Sequence, residues 1–168
     1  LGETLYNSLG NRFNLFCVDP FRPYSGKNEK EWAHHELSKT IEKIYFYFLY
    51  RVSKTKYRSN IIHLRDSIIN LQHVFNKFDI DYIYIDGSHY YKDVIIDLET
   101  SYKLIKKRKD YQGIICGDDL EINLFDKKFE HIKISKNSSD MIKIDNEYYH
   151  PGVSLALYDF AKKKKLKI

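Results

Sequence analysis

Glycine, proline and cysteine are scarce in this chain of 168 residues, which has 7 Gly, 3 Pro and 2 Cys. So few glycines and prolines exclude collagen-like, linker-like and low-complexity classes. No apolar run reaches the roughly 18–20 residues that a membrane span requires, and residues 44–52, the longest run, contain Arg51. The chain also does not open on a basic segment followed by an apolar one. We therefore expect no signal peptide, a cytoplasmic location and no membrane partner.

The two cysteines, Cys17 and Cys116, are too few for a disulfide framework. Each lies in a short apolar run that reads as a strand. We expect two buried, reduced thiols in an intracellular protein.

Hydrophobic residues make up 43% of the chain and charged residues 30%, which is enough apolar material for one packed domain. The net charge is +5, with basic runs at residues 103–109 and 162–167. These runs are typical of a solvated helix face and a basic tail. The alternative is a contact with nucleic acid or an anionic surface.

Short apolar runs alternate with amphipathic segments along the chain. The pattern predicts strands at residues 14–18, 60–64, 81–85 and 113–116, and helices at 3–9, 27–57, 67–78, 92–107 and from Pro151 onward. Residues 129–134 and 141–144 are expected to pair around a turn at 137–139. This alternation favours an α/β fold with a parallel sheet, in one domain over residues 1–168.

Three of the four predicted strands end in aspartates: Asp19, Asp86, and the pair Asp118 and Asp119. Ligands of open parallel sheets bind at the carboxyl ends of the strands. If the strands ending at Asp86 and Gly117 are neighbours, their carboxylates can converge on a hard cation such as Mg²⁺. For each acid taken alone, a helix cap or a loop carboxylate is the alternative.

His89 follows Asp86 by three residues and would lie near such a cation. A neutral histidine there can take a proton from a substrate hydroxyl, although a capping or surface histidine is the alternative. Lys92 is a weaker candidate base. The spacing of the other histidines, His150 among them, does not suggest a zinc site.

The run from Asp81 to Leu120 resembles the central part of class I S-adenosylmethionine-dependent methyltransferases. It is most similar to the metal-dependent O-methyltransferases, such as the macrocin-type sugar O-methyltransferases. A strand ends in D-G-x-H-x-Y, a helix carries V-x-x-D-L, and the next strand ends in D-D. The later segment HPGVSLALYDF is similar to a helix of the sugar-modifying group.

This resemblance implies a role for each matched position. Six residues would bind S-adenosyl-L-methionine. Gly2 and Thr4 belong to the first cofactor motif, and Asp19 is the acid that would bind the ribose. Asp66 and Ser67 belong to the adenine motif, and Asp86 follows the third strand. A divalent cation, expected to be Mg²⁺, would be held by Asp86, Asp118 and Asp119. His89 would be the catalytic base. The implied reaction is methyl transfer to a hydroxyl of a sugar or another small polar metabolite.

The resemblance also implies a Rossmann-like parallel sheet with flanking helices. The family's first strand would precede Leu1, so we expect a single methyltransferase-like domain that is incomplete at its N-terminus. The tract over residues 120–149 is longer than the family pattern implies. Either the hairpin expected at 129–144 is an insertion, or the C-terminus is also cut.

Two further functions remain open from the sequence. A methyltransferase-like fold can have another activity or none. A nucleic-acid-binding or nucleic-acid-modifying protein is disfavoured, because an acidic rim repels phosphates. The expected partner is a small-molecule hydroxyl acceptor. The aromatic helix near residues 41–52 packs in the core, covers the pocket or forms a homo-oligomer contact.

Overall fold

The structure, a computed structural model, describes residues 1–22, 31–75, 80–107, 110–123, 134–138 and 140–166, with the backbone alone for 31–38. The chain divides into two compact units, Leu1–Asn70 and Leu71–Ile168. The single domain over residues 1–168 stays a prediction.

The first unit is built on a parallel pair of strands. Helix α1 (Gly2–Leu9) precedes β1 (Leu15–Val18), helix α2 (Glu31–Ser53) follows, and a short 3₁₀ turn leads into β2 (Ile61–Leu64). Strands β1 and β2 pair in parallel, with Leu15 opposite Ile61. Parallel strands need a crossover between them, and α2 provides it.

Aromatic contacts and one buried amide hold the first unit together. Phe21 packs against Tyr45 and Phe48 of α2, with ring centroids 4.8 and 5.6 Å apart. The Asn60 side chain is buried and donates from Nδ2 to the carbonyl oxygens of Asn11 (3.1 Å) and Phe13 (2.7 Å). Asn60 thereby fixes the start of β2 against the segment that enters β1.

The second unit begins with α3 (Gln72–Phe75) and repeats the strand–helix–strand pattern. Strand β3 (Tyr82–Ile85) and strand β4 (Ile114–Gly117) pair in parallel and are connected through α4 (Tyr91–Leu104). Strands β5 (Ile142–Ile144) and β6 (Glu147–Tyr149) form an antiparallel hairpin, and α5 (Pro151–Lys164) ends the described chain.

Helices α4 and α5 bury one apolar face against each other. The core consists of Val94, Leu98, Val153, Ala156 and Phe160, at helical spacing in each element. Burial of each of the larger side chains in this core contributes about 1.5–3 kcal/mol to the stability of the fold. This core holds the N-terminus of α5 beside the loop that follows β3.

The four predicted parallel strands are confirmed, and so is the mixed α/β class. The described strands form three two-stranded sheets, so the full Rossmann-like sheet stays a prediction. No helix in the described part of the chain combines the length and the apolar character that a membrane crossing requires.

The structure contains a hairpin that the sequence pattern did not indicate. Strand β5 pairs with β6 across Asp145 and Asn146, which both have positive φ (50° and 69°). Two consecutive positive φ values suit the tight turn that matches strand twist, and Asp and Asn tolerate them. Residues 129–133 and 139 lie outside the described part, so the pairing expected between 129–134 and 141–144 around 137–139 stays a prediction.

The helix predicted over residues 67–78 is also shorter than expected. Residues 67–71 form turns, α3 covers only Gln72–Phe75, and 76–79 lie outside the described part. Asp66 Oδ1 accepts hydrogen bonds from the Ser67 amide (2.7 Å) and Asn70 Nδ2 (2.8 Å). Such local side-chain bonds compete with helical ones.

Both cysteines are free, but they are only partly buried, contrary to the prediction. In a pair of four-residue strands every residue lies near an edge, so neither thiol is enclosed. Burial still raises the pKa of the Cys17 thiol.

Candidate functional site

The carboxyl ends of β3 and β4 lie side by side. Ile85 is opposite Gly117, and the Asp118 amide donates to the Ile85 carbonyl oxygen at 3.3 Å. A Cβ on Gly117 would lie 2.6 Å from that same oxygen, so a residue without a side chain is needed there. Asp86 and Asp118 therefore follow neighbouring strand ends, as the sequence predicts.

The two aspartates after β4 are oriented differently. The Tyr84 hydroxyl donates to Asp118 Oδ2 at 3.1 Å, and this hydrogen bond raises the pKa of Tyr84. Asp119 has a φ of 60°, in the left-handed region that residues other than glycine rarely adopt. Aspartate tolerates this region better than most residues do, as Asp145 also does in the β5–β6 turn.

His89 lies between two carboxylates. Its Nε2 is 3.0 Å from Asp119 Oδ2, and its Nδ1 is 2.8 Å from Asp140 Oδ1. A neutral imidazole has one N–H, so it can donate to only one of the two. The other carboxylate is then stabilised only if the ring carries a second proton or if a cation lies nearby.

His150 is the second histidine of the site. Its ring centroid is 4.1 Å from that of His89. Glu121 Oε2 accepts from the His150 amide at 2.8 Å and lies 3.1 Å from His150 Nδ1. Asp119 Oδ1 is 3.8 Å from the same nitrogen. Two carboxylates thus face one ring nitrogen.

Gly152 explains why His150 and His89 meet. A Cβ at this position would lie 2.2 Å from the His89 carbonyl oxygen and 2.7 Å from the Tyr91 amide nitrogen. Only glycine permits α5 to start directly against the loop, and Pro151 suits the first helical turn, where its missing N–H costs nothing. The Tyr91 hydroxyl also donates to Asp159 Oδ2 at 2.9 Å, which ties α5 to α4.

Two more acids lie at the start of α4, next to the loop that carries His89. Asp93 Oδ2 accepts from the Ser88 hydroxyl at 2.7 Å. Asp97 lies close to Gly87, since a Cβ there would be 3.3 Å from Asp97 Oδ2. Burial, and then the charge of Asp93, raise the pKa of Asp97 to about 6.

Two groups of side chains in the described part of the chain could hold a metal ion. One is His89, Asp140 and His150, and the other is Asp119, Glu121 and His150, with ligand atoms within 4.8 Å of one another in each group. Asp119 belongs to the second group, while Asp86 and Asp118 belong to neither. The joint ligation of a cation by Asp86, Asp118 and Asp119 stays a prediction.

Gly2 and Thr4, both predicted to bind cofactor, lie in the first two turns of α1. A Cβ on Gly2 would lie 2.6 Å from the Tyr57 ring, so packing alone already favours glycine. The N-cap residue Leu1 has no side-chain acceptor, which leaves the amides of the first turn without a side-chain cap.

The other predicted cofactor residues of the first unit lie in the turns after β1 and β2. Asp19 Oδ1 accepts from the Phe21 amide at 2.6 Å. The hydrogen bond from Asn70, followed by that from the Ser67 amide, lowers the pKa of Asp66. Their roles toward a cofactor, like that of Asp86 in the second unit, stay predictions.

Three residues of the site were missed from the sequence: Glu121, Asp140 and His150. Glu121 follows Asp119 by two residues, and His150 directly precedes the Pro-Gly that opens α5. Their positions in the sequence could therefore have marked both as candidate site residues. Asp140 had none, because it lies 51 residues from His89 in an irregular tract.

The profile of one protein family, described as "Methyltransferase domain", matches residues 4–120, which is more than half of the chain. No curated protein and no solved structure is significantly similar to the chain. The matched residues include β1 to β4, His89 and the aspartates that follow β3 and β4.

Proposed function

The chain belongs to the methyltransferase-domain family, and on that premise we propose an S-adenosylmethionine-dependent O-methyltransferase. The acceptor we propose is a hydroxyl group of a sugar or another small polar metabolite. One observation carries the proposal: His89 lies between Asp119 and Asp140, beside the carboxyl ends of two parallel strands. This is where ligands of such sheets bind, and a histidine so placed can deprotonate a hydroxyl.

The cofactor would be bound mainly by residues that follow the early strands. The uncapped amides at the start of α1 suit a carboxylate, so Gly2 and Thr4 would lie beside the amino-acid end of the cofactor. Asp19 offers several lone pairs, of which the Phe21 amide uses one, and would accept from ribose hydroxyls. Asp66 and Ser67 would lie beside the adenine.

A divalent cation would be held by Asp119 together with Asp86 and Asp118. The chemistry of this set supports it, since all three offer carboxylate oxygens, which Mg²⁺ prefers. When bound, the cofactor supplies an electrophilic methyl group and the cation polarises the acceptor hydroxyl.

The chain's own residues provide the base and its orientation. Asp140 accepts from Nδ1–H of His89, which selects the tautomer with a lone pair on Nε2. With Asp119 turned to the cation, Nε2 would be free to take the hydroxyl proton. The acceptor oxygen would gain the methyl group as the bond between that methyl group and the cofactor sulfur breaks, which would leave a neutral thioether. Positioning of the acceptor oxygen in line with the methyl group supplies much of the remaining rate.

The test is transfer of a labelled methyl group from S-adenosylmethionine to a panel of small hydroxyl compounds. We expect His89→Gln to lower kcat by about 10²–10⁴-fold, the usual contribution of a general base. Binding of S-adenosylmethionine should not change. His73→Gln, which alters a histidine of α3, is the matched control. Full activity in His89→Gln, or transfer restricted to nitrogen acceptors, would overturn the proposal.

A further inference from the structure

We propose that Asp119, Glu121 and His150 form a second cation site, which takes an imidazole-binding first-row cation such as Zn²⁺ in preference to Mg²⁺. The inference goes beyond the proposed function, because it does not require methyl transfer and shares only Asp119 with the proposed Mg²⁺ ligands. Its basis is the arrangement of two carboxylates around one ring nitrogen.

The distances match the ligand spacing of a small metal site. Glu121 Oε2 and Asp119 Oδ1 lie 3.1 and 3.8 Å from His150 Nδ1. With metal–ligand distances near 2.1 Å, neighbouring ligands of a tetrahedral Zn²⁺ lie about 3.4 Å apart. The two measured separations bracket this value, so a cation fits after small side-chain movements.

Hydrogen bonds from His150 Nδ1 alone cannot reach both carboxylates. One N–H on Nδ1 can serve Glu121 at 3.1 Å, while 3.8 Å to Asp119 is too long for a hydrogen bond. Asp119 then faces His150 without a bond to it. A cation between the three atoms would coordinate both carboxylates and the nitrogen.

The charge balance also favours a cation. In the part of the chain that the structure describes, the ion pairs of Asp119, Glu121 and Asp140 are all with His89 or His150. Neither lysine nor arginine contributes to these pairs. Two partly buried carboxylates, those of Asp119 and Asp140, and the exposed carboxylate of Glu121 surround the two imidazoles. With neutral rings this group carries an excess of negative charge, which a cation offsets.

The donor types decide the preference among cations. Imidazole nitrogen suits Zn²⁺ and other late first-row ions, whereas Mg²⁺ prefers oxygen ligands in an octahedron. The second oxygen of Asp119 faces His89 Nε2 at 3.0 Å. A cation at this site would therefore also restrict the orientation of Asp119, as outer contacts do around metal centres.

The test is a Zn²⁺ titration of the full protein in excess Mg²⁺, with ¹⁵N-histidine NMR as the readout. We expect the Nδ1 signal of His150 to shift on binding. Glu121→Gln keeps the size of the side chain and should weaken binding by at least about 10-fold, as should His150→Ala. Glu99→Gln and His73→Ala are the matched controls, and circular dichroism checks that each variant is folded.

Three results would overturn the inference: no shift of His150, binding that neither variant weakens, or displacement of Zn²⁺ by Mg²⁺ at comparable concentration. In the last case the site would be an ordinary oxygen site. A protein that transfers methyl groups without binding Zn²⁺ here contradicts this inference alone. A protein that binds Zn²⁺ here without methyl transfer contradicts the proposed function alone.

Discussion

The two parallel strand pairs have the same architecture, but the aspartates that follow their strands make different contacts. Each pair has strands of four residues, a helical crossover and aspartates after the strands. After β1 and β2, Asp19 and Asp66 accept hydrogen bonds from nearby residues, no more than four positions along the chain. After β4, Asp119 instead meets histidines from two distant segments.

The packing behind the two pairs also differs. Within the described residues, all buried hydrophobic side chains lie between Phe75 and Ala161, in the second unit. Among the side chains of the first unit that the structure describes, only Asn60 is buried, and the aromatic contacts are partly exposed. An aspartate at a strand end therefore does not by itself meet side chains from distant segments: for Asp119, the packed helix α5 brings His150 to it.

The largest effect should come from the core of the second unit. We expect Phe160→Ala to lower the free energy of unfolding by about 3–5 kcal/mol, because it removes a buried ring that packs against Tyr102. Phe48→Ala removes a partly buried ring of the first unit and should cost about 1–2 kcal/mol. Urea unfolding measures both, and equal losses would contradict the contrast between the two units.

The second largest effect on stability should come from the close approach of α5 to the loop that carries His89. Gly152→Ala should cost about 1–3 kcal/mol, because the new methyl group overlaps two backbone atoms that cannot move aside easily. Gly87→Ala is the control, since its methyl group would meet only the carboxylate of Asp97. Thermal unfolding compares the two. If Gly152→Ala is as stable as Gly87→Ala, the helix is not held as described.

A smaller effect should come from the buried amide of the first unit. Asn60→Ala leaves the carbonyl oxygens of Asn11 and Phe13 without their donor, and we expect a loss of about 1–2 kcal/mol. Asn70→Ala breaks an exposed bond to Asp66 and should cost less. If urea unfolding ranks the two in the opposite order, then local turns rather than Asn60 hold the first unit.

The smallest effect should be a pH dependence from Asp97. Its pKa is raised from 3.8 to about 6, so folding favours the protonated carboxyl. The stability it contributes is present below pH 3.8 and is lost as the pH rises through 6. Because Asp97 is partly exposed and therefore screened, Asp97→Asn should stabilise the protein at pH 7 by only about 1 kcal/mol.

Urea midpoints between pH 4 and 8 test this prediction. The difference between Asp97→Asn and the wild type should grow with pH and level off above 6. Asp110→Asn, at an exposed position, is the control. A constant difference across this range would mean that the Asp97 carboxyl does not titrate as described.

Much of the fold could be read from local pattern, because short apolar runs such as residues 82–85 and 114–117, bounded by turn residues, favour a strand. The pattern failed where a single side chain changed the local balance. At Asp66 a turn takes the place of the expected helical start, and Asp145 with Asn146 forms a hairpin turn that the pattern did not indicate.

The candidate site could be predicted only as far as it follows strand ends. Asp118, Asp119 and His89 follow directly from the strand pattern. Asp140 and His150 reach the site through the hairpin and the start of α5, and His150 contacts Glu121, 29 residues away. Such contacts depend on packing, of which the Gly152 approach is one example. The sequence can mark Glu121 and His150 as candidates, but it does not show that they meet.

One measurement tests the central claim most directly: calorimetric titration of S-adenosylmethionine into the wild type, Asp19→Ala and His89→Gln. The account assigns the acid after β1 to cofactor binding and the histidine after β3 to proton transfer. It predicts that the wild type binds, that Asp19→Ala binds at least about 10-fold more weakly, since about 1.4 kcal/mol is lost, and that His89→Gln binds as the wild type does. No binding by the wild type, or the same affinity in Asp19→Ala, would contradict it.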